Sequence, residues 1–134
     1  MSKILFTLVS PSKKLYSAEA DMVIIPAAGG DIGVMKGHSP VLGTVRAGTI
    51  IVKNGNDEVR LFVESGFMEV NAETATVLAE HGVAVSELNK ADVEKQLKTA
   101  TENLSSAKED DKEDAKALLG VAKARLSAVN KSHY

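Results

Sequence analysis

The first two-thirds of the chain strings short apolar runs between turn residues, and the last third places its apolar residues at helical spacing. Lys3–Ser10 is an apolar run rich in β formers, closed by the turn Pro11-Ser12-Lys13-Lys14. A short strand begins at Leu15-Tyr16, and Asp21-Met22-Val23-Ile24-Ile25-Pro26 is another run. Ile32, Val34 and Met35 give a short strand between the turns Gly29-Gly30-Asp31 and Gly37-His38-Ser39-Pro40. Val41–Val45 and Thr49–Lys53 follow. Asn54-Gly55-Asn56-Asp57 then predicts a hairpin, with Asn-Gly at its two central positions. Glu58–Glu64 alternates, putting Val59, Leu61 and Val63 on one face. Ser65-Gly66 turns the chain, and Phe67–Val70 pairs with Thr74–Ala79. About nine short strands with frequent turns predict an antiparallel β-sandwich.

From Ser86 onward Gly120 is the only helix breaker, and Ala, Lys, Glu, Asp and Leu dominate. Val93, Leu97, Ala100, Leu104 and Ala107 recur at steps of 4, 3, 4 and 3, a heptad-like stripe. Ser86 or Asn89 can cap this helix. Lys108-Glu109-Asp110-Asp111-Lys112 interrupts it, with Asp110-Asp111 closing one helix and Asp111 capping the next. Ala115, Leu119, Ala122, Leu126 and Val129 make a second stripe, with Lys123, Arg125 and Lys131 toward its C-terminus, where the helix dipole favours cations. The expected class is α+β in two segments: a β-sandwich over residues 1–86 and an antiparallel two-helix hairpin over 87–134. Both stripes mix alanine with Leu and Val. Burying a Leu contributes about 1.5–3 kcal/mol, against roughly 1–2 kcal/mol per residue to order the backbone. The hairpin therefore needs a docking surface, its own sandwich or a partner.

Composition narrows the chemistry. Of 134 residues 44% are hydrophobic and none is tryptophan, so Val, Ile, Leu and Ala must build the core. A net charge of −2 gives no general attraction to nucleic acid or anionic lipid. There is no cysteine, which excludes disulfides and thiolate metal sites. No apolar run approaches the ~20 residues of a membrane-spanning helix, and the N-terminal run lacks a signal-peptide pattern. Asp31, His38 and Ser39 do not form a nucleophile elbow, and Pro40 directly follows the serine. His38, His81 and His133 are scattered without ligand spacing. Lys112, Lys116, Lys123 and Arg125 are read either as a solvated face or as a basic side offered to an acidic partner.

Gly29–Pro40 holds four glycines and a proline. It is not a phosphate cradle, because neither Gly-Lys-Ser/Thr nor an amphipathic helix follows. Gly30-Asp31-Ile32-Gly33-Val34-Met35-Lys36-Gly37-His38-Ser39-Pro40 resembles the G-[ED]-[LI]-G-[IV]-x-x-G-H-x-P signature of the epsilon subunit of bacterial F-type ATP synthase. Ser65-Gly66-Phe67-Met68-Glu69-Val70, Thr76-Val77-Leu78-Ala79 and Leu8-Val9-Ser10-Pro11 resemble further segments of that family, with spacing kept along the chain.

The resemblance implies a non-enzymatic rotor subunit of the central stalk, peripheral on the cytoplasmic face of the bacterial plasma membrane. It implies contact with the c ring through Gly30, Asp31 and Ile32, and with gamma through His38 and Ser39. It also implies a hairpin that restrains ATP hydrolysis by reaching the alpha/beta head, with Lys112, Lys116, Lys123 and Arg125 as candidate contacts to beta. The alternative is a free-standing small-molecule binding sandwich with a helical appendage. Some family members bind ATP through [IL]-D-x-x-R-A and two arginines on the second helix. Here the run is Leu88-Asn89-Lys90-Ala91-Asp92-Val93, and Val121 replaces one of those arginines while Arg125 is kept. A carboxylate in place of a guanidinium repels phosphate. The expectation is no cofactor, with ATP at most a weak regulatory ligand.

Overall fold

A computed structural model describes residues 3–130. Among them are strands β1 (Ile4–Val9), β2 (Lys14–Ala20), β3 (Met22–Ala27), β4 (Gly30–Val34), β5 (Val41–Val45), β6 (Gly48–Asn54), β7 (Asp57–Val63), β8 (Gly66–Val70), β9 (Thr74–Ala79) and β10 (Gly82–Ala84), followed by helices α1 (Lys90–Ser106) and α2 (Lys112–Asn130). The hydrogen-bonded path runs β10-β7-β6-β3-β5-β8-β9-β1-β2, with β4 on β3. It folds over at β3, which bonds β6 through residues 22–24 but β5 only at Ala27. The β5-β8-β9-β1-β2 layer thereby closes on the β10-β7-β6-β3-β4 layer. Alternate residues of both meet in one core: Ile4, Phe6, Leu8, Met68, Val70 and Val77 of the first layer face Val23, Ile25, Ile50, Val52, Leu61 and Val63 of the second.

Three expectations need correction. A tenth strand, β10, pairs with β7; three residues without alternation give no local signal, and the pairing comes from the fold. The second strand extends over Lys14–Ala20, held by pairing with β1. The sandwich is not wholly antiparallel, because β1 runs parallel to β9, with Leu5 opposite Thr74 and Val9 opposite Leu78. These strands lie at opposite ends of the β segment, and no turn between neighbours could specify their pairing. The Asn54–Asp57 hairpin is present one residue out of the expected frame. Asn54 pairs with Asp57, so the central residues are Gly55 and Asn56, and Gly55 takes the positive φ of 59°.

The helices follow their stripes. Asn89, not Ser86, caps α1, its Oδ1 accepting from Asp92 N at 3.2 Å. That helix ends at Ser106, earlier than the Asp110-Asp111 stop, with Ala107 N donating to Leu104 O at 3.3 Å. Glu109–Asp111 forms a single 3₁₀ turn that runs into α2. The most buried stripe positions are Val93, Ala100, Ala115 and Ala122, while Leu97, Leu104, Leu119 and Leu126 stay half-buried. Small side chains thus set the closest approach of the two helices. Lys131 and His133 lie outside the described residues.

Candidate protein-contact surface

The two outer faces of the sandwich differ. In the β6–β7 layer the alternation fails: Ile51 and Phe62, which point away from the core, are as buried as Ile50, Leu61 and Val63. The hairpin covers that face. Phe62, Val85 and Ala128 form a second apolar cluster with Val83, Leu88, Val121 and Ala124. The expected docking surface is therefore the chain's own sandwich. Val59, expected to share the inner face, is exposed near the β6–β7 turn, beyond the part of β7 that β10 pairs with.

On the β5-β8-β9-β1 layer the outer face is bare. Leu42 is 80% exposed, Phe67 62%, Leu78 42% and Leu5 41%. Phe67 lies between Thr44 and Leu78, Leu42 is opposite Glu69, and Leu78 lies beside Val9. Large apolar side chains on one exposed sheet face mark a protein-contact surface. Sequence reasoning did not single out these residues. The signal was the apolar pairs Phe67-Met68 and Val77-Leu78, where one residue of each must point outward.

The glycine-rich loops sit at the ends of these layers. The Met35–Pro40 loop leads into β5. Gly37 has φ 91° in a turn closed by His38 N donating to Met35 O at 3.1 Å. Its own N–H donates to Ala72 O at 2.7 Å, fastening the loop to the β8–β9 turn beside the bare face. His38 is half-buried, its Nδ1–H donating to the Ser39 carbonyl at 2.7 Å, and Ser39 is exposed. Asp31 is not at a tip. It is the second residue of β4, opposite Pro26, and the exposed end of that hairpin is Ala28-Gly29-Gly30. The Asp31 carboxylate accepts from Arg46 Nη2 at 2.6 Å with only 17% of its side chain exposed, and Arg46 N also donates to Pro26 O. Ile32 packs against the core. Replacing Asp31 would thus strip Arg46 of a partner as well as alter the loop, so a fold-neutral substitution is not expected there. Asp31 is held by Arg46, and His38 meets Ser39 only at its backbone carbonyl, so the three side chains make no relay.

The four hairpin cations do not form one face. At ~100° per helical residue, Lys112, Lys116 and Lys123 fall within about 40° of each other and Arg125 lies roughly 140–180° away. Lys112 pairs with Glu109 at 3.3 Å and Lys116 with Glu113 at 3.9 Å, both one turn back and exposed. Arg125 turns inward, onto the Phe62 ring. In the segment matched to the nucleotide motif, Asn89 is occupied as a cap, Val93 is buried and Asp92 supplies the acidic first turn. No helix among the described residues is long and apolar enough to cross a membrane.

A sandwich with one face closed by its own helical pair and the other left apolar and open belongs to the class of contact-making subunits. A family model described as ATP synthase, Delta/Epsilon chain, beta-sandwich domain matches residues 3–85. The ATP synthase epsilon chain of Paramagnetospirillum magneticum is 46% identical over 129 residues, covering 95% of this chain and 97% of its own. That of Caulobacter vibrioides is 43% identical over 83 residues, which are 62% of this chain but 96% of that one. A chain in the cryo-EM structure of the Euglena gracilis mitochondrial ATP synthase (OSCP/F1/c-ring) superposes with a TM-score of 0.86 at 20% identity, covering 96% of this chain and 82% of that chain. The chain belongs to the ATP synthase epsilon-chain family.

Proposed function

We propose that this chain is a non-catalytic central-stalk subunit of a proton-translocating F-type ATP synthase, linking gamma to the c ring, with its hairpin restraining ATP hydrolysis. The carrying observation is the bare face of Leu42, Phe67 and Leu78, continuous with the His38-Ser39 loop. Burying each of these side chains against a partner is worth about 1.5–3 kcal/mol. Gamma is assigned to this face and to His38 and Ser39. The c ring is assigned to the β3–β4 hairpin end at Gly30, with Asp31 and Ile32 shaping it from behind. The alpha/beta head is assigned to the Lys112, Lys116 and Lys123 stripe. On this reading the chain lies peripherally, on the cytoplasmic face of the bacterial plasma membrane. The test is co-purification: the tagged chain should bring down gamma and c-ring subunits from solubilised membranes. Phe67→Glu with Leu42→Glu should abolish that recovery while leaving the isolated chain folded, because both side chains are mostly exposed. Recovery of the unaltered chain alone would favour the free-standing binding sandwich.

ATP is assigned at most a weak regulatory role. Asn89 Oδ1 is engaged by the helix N-terminus, and Arg125 is engaged within the protein. Calorimetry on the purified chain is expected to show no saturable heat at micromolar ATP. A micromolar dissociation constant would place a nucleotide site that these residues do not account for.

A further inference from the structure

Arg125 touches three side chains at once, two from the sandwich and one from α1. Its guanidinium carbon stands 5.2 Å from the centroid of the Phe62 ring on β7. Nη2 lies 3.5 Å from Glu64 Oε2, just past the end of the same strand. Nη1 donates to Gln96 Oε1 on α1 at 3.1 Å. The side chain is 19% exposed, far less than the lysines on the opposite side of α2. Arg125 and Glu64 also line two cavities, one of about 620 Å³ between the helices and one of about 390 Å³ beside Ser10 and His81. These clefts border the contact, and the apolar cluster under the hairpin is small, with Phe62, Val85 and Ala128 buried in it and Ile51 covered beside it.

We propose that Arg125 is a latch that couples pairing of α1 with α2 to docking of the pair on the sandwich, so that the two joints are made and lost together. Only a planar guanidinium can stack on a ring and extend separate N–H groups toward Glu64 and Gln96, which a lysine ammonium cannot do. Because the remaining interface is thin and rich in alanine, this one side chain decides the docked state. The latch is a property of the isolated chain. Any consequence for hydrolysis rests on the function proposed above.

The chain has no cysteine, so pairs of cysteines introduced at exposed positions take spin labels cleanly. One pair, Asn56 with Glu113, reads the sandwich-to-hairpin distance; a second, Lys98 with Lys116, reads the helix-to-helix distance. The unaltered full chain should give one narrow distribution for each. Arg125→Leu keeps an apolar cover on Phe62 but removes the charge and its donors. It should raise the open-to-docked ratio about tenfold for both pairs, from one desolvated cation–π contact and one partly buried ion pair. Arg125→Lys should fall between. Glu64→Gln and Gln96→Leu should each broaden both distributions in the unaltered background and add nothing to Arg125→Leu, the non-additivity expected of one shared contact. Narrow distributions in Arg125→Leu would overturn the latch, as would broadening of only one pair. Were Arg125→Leu to fold poorly by circular dichroism, the two arm variants would carry the same decision. Failure to co-purify with gamma would overturn the proposed function and leave this result untouched.

Discussion

Gly66→Ala is expected to unfold the sandwich or come close to it. Gly66 opens β8 and is flanked on both sides, opposite Val45 at the end of β5 and Ala79 at the end of β9. A Cβ built on it would overlap the Leu78 carbonyl oxygen and lie 3.1 Å from Ala79 Cα. Both obstacles are backbone, so no rotamer change relieves the clash. The β8–β9 ladder must open at this end, and that strand pair carries Met68, Val70, Ala75 and Val77 into the core. The expected loss is about 3 kcal/mol or more, at the upper end for single substitutions. For a domain of this size that lowers the thermal midpoint by about 12 °C or more. Urea denaturation of the purified variant is the check, and a midpoint within error of the parent would show that the sheet opens at this point without cost.

Removing residues 87–134 is expected to leave a folded sandwich that is less stable and more adhesive. The core of the two layers draws no side chain from the helices. The Caulobacter relative is matched along 96% of its length by only 83 residues of this chain, so a family member of about that size exists. What the truncation exposes is Phe62 and Ile51, with Val83 and Val85 around them. Losing cover on these costs about 2–4 kcal/mol at 25 cal/mol per Å² of apolar surface, and the new apolar patch should bind a hydrophobic dye. In a reconstituted complex, the truncated chain should still assemble and remain coupled, with ATP hydrolysis raised. Loss of assembly would show that the hairpin, not the sandwich, supplies the docking contacts. Unchanged hydrolysis would remove the restraining role. Neutralising Lys112, Lys116 and Lys123 should reproduce part of the rise, more at low salt, since exposed charges are screened over about 8–10 Å at physiological ionic strength. Arg125 belongs to a different experiment, because it faces the protein.

Much of the fold was legible because the relevant signals are local. Two-residue alternation in Glu58–Glu64 and the Asn-Gly turn before it mark a strand pair wherever they occur. The steps of four and three from Val93 to Ala107 mark a helix face regardless of what that face meets. Asn89 announces a cap through its own side chain. In the Gly30–Pro40 and Ser65–Val70 motifs, which pointed to the family, three glycines answer a backbone demand: Gly30 and Gly37 a positive φ, Gly66 a neighbouring carbonyl.

Other features depended on residues far apart in the chain. Thr49-Ile50-Ile51-Val52 reads as one apolar run, and only the docked α2 shows that Ile51 is covered from outside while Ile50 and Val52 fill the core. Nothing near Phe67 distinguishes it from Phe62. One is open and the other buried because the hairpin folds back over one layer only. Asp31 looked like a turn tip until Arg46, fifteen residues on, closed over it. Arg125 looked like one of four cations until the helix phase turned it toward Phe62, Glu64 and Gln96. Periodicity and turn chemistry determine which elements form and which of their faces are apolar. Closure of the β1–β9 parallel pair and the return of α2 determine which apolar faces meet each other and which is left for a partner, since those contacts join residues whose separation in sequence carries no local signal.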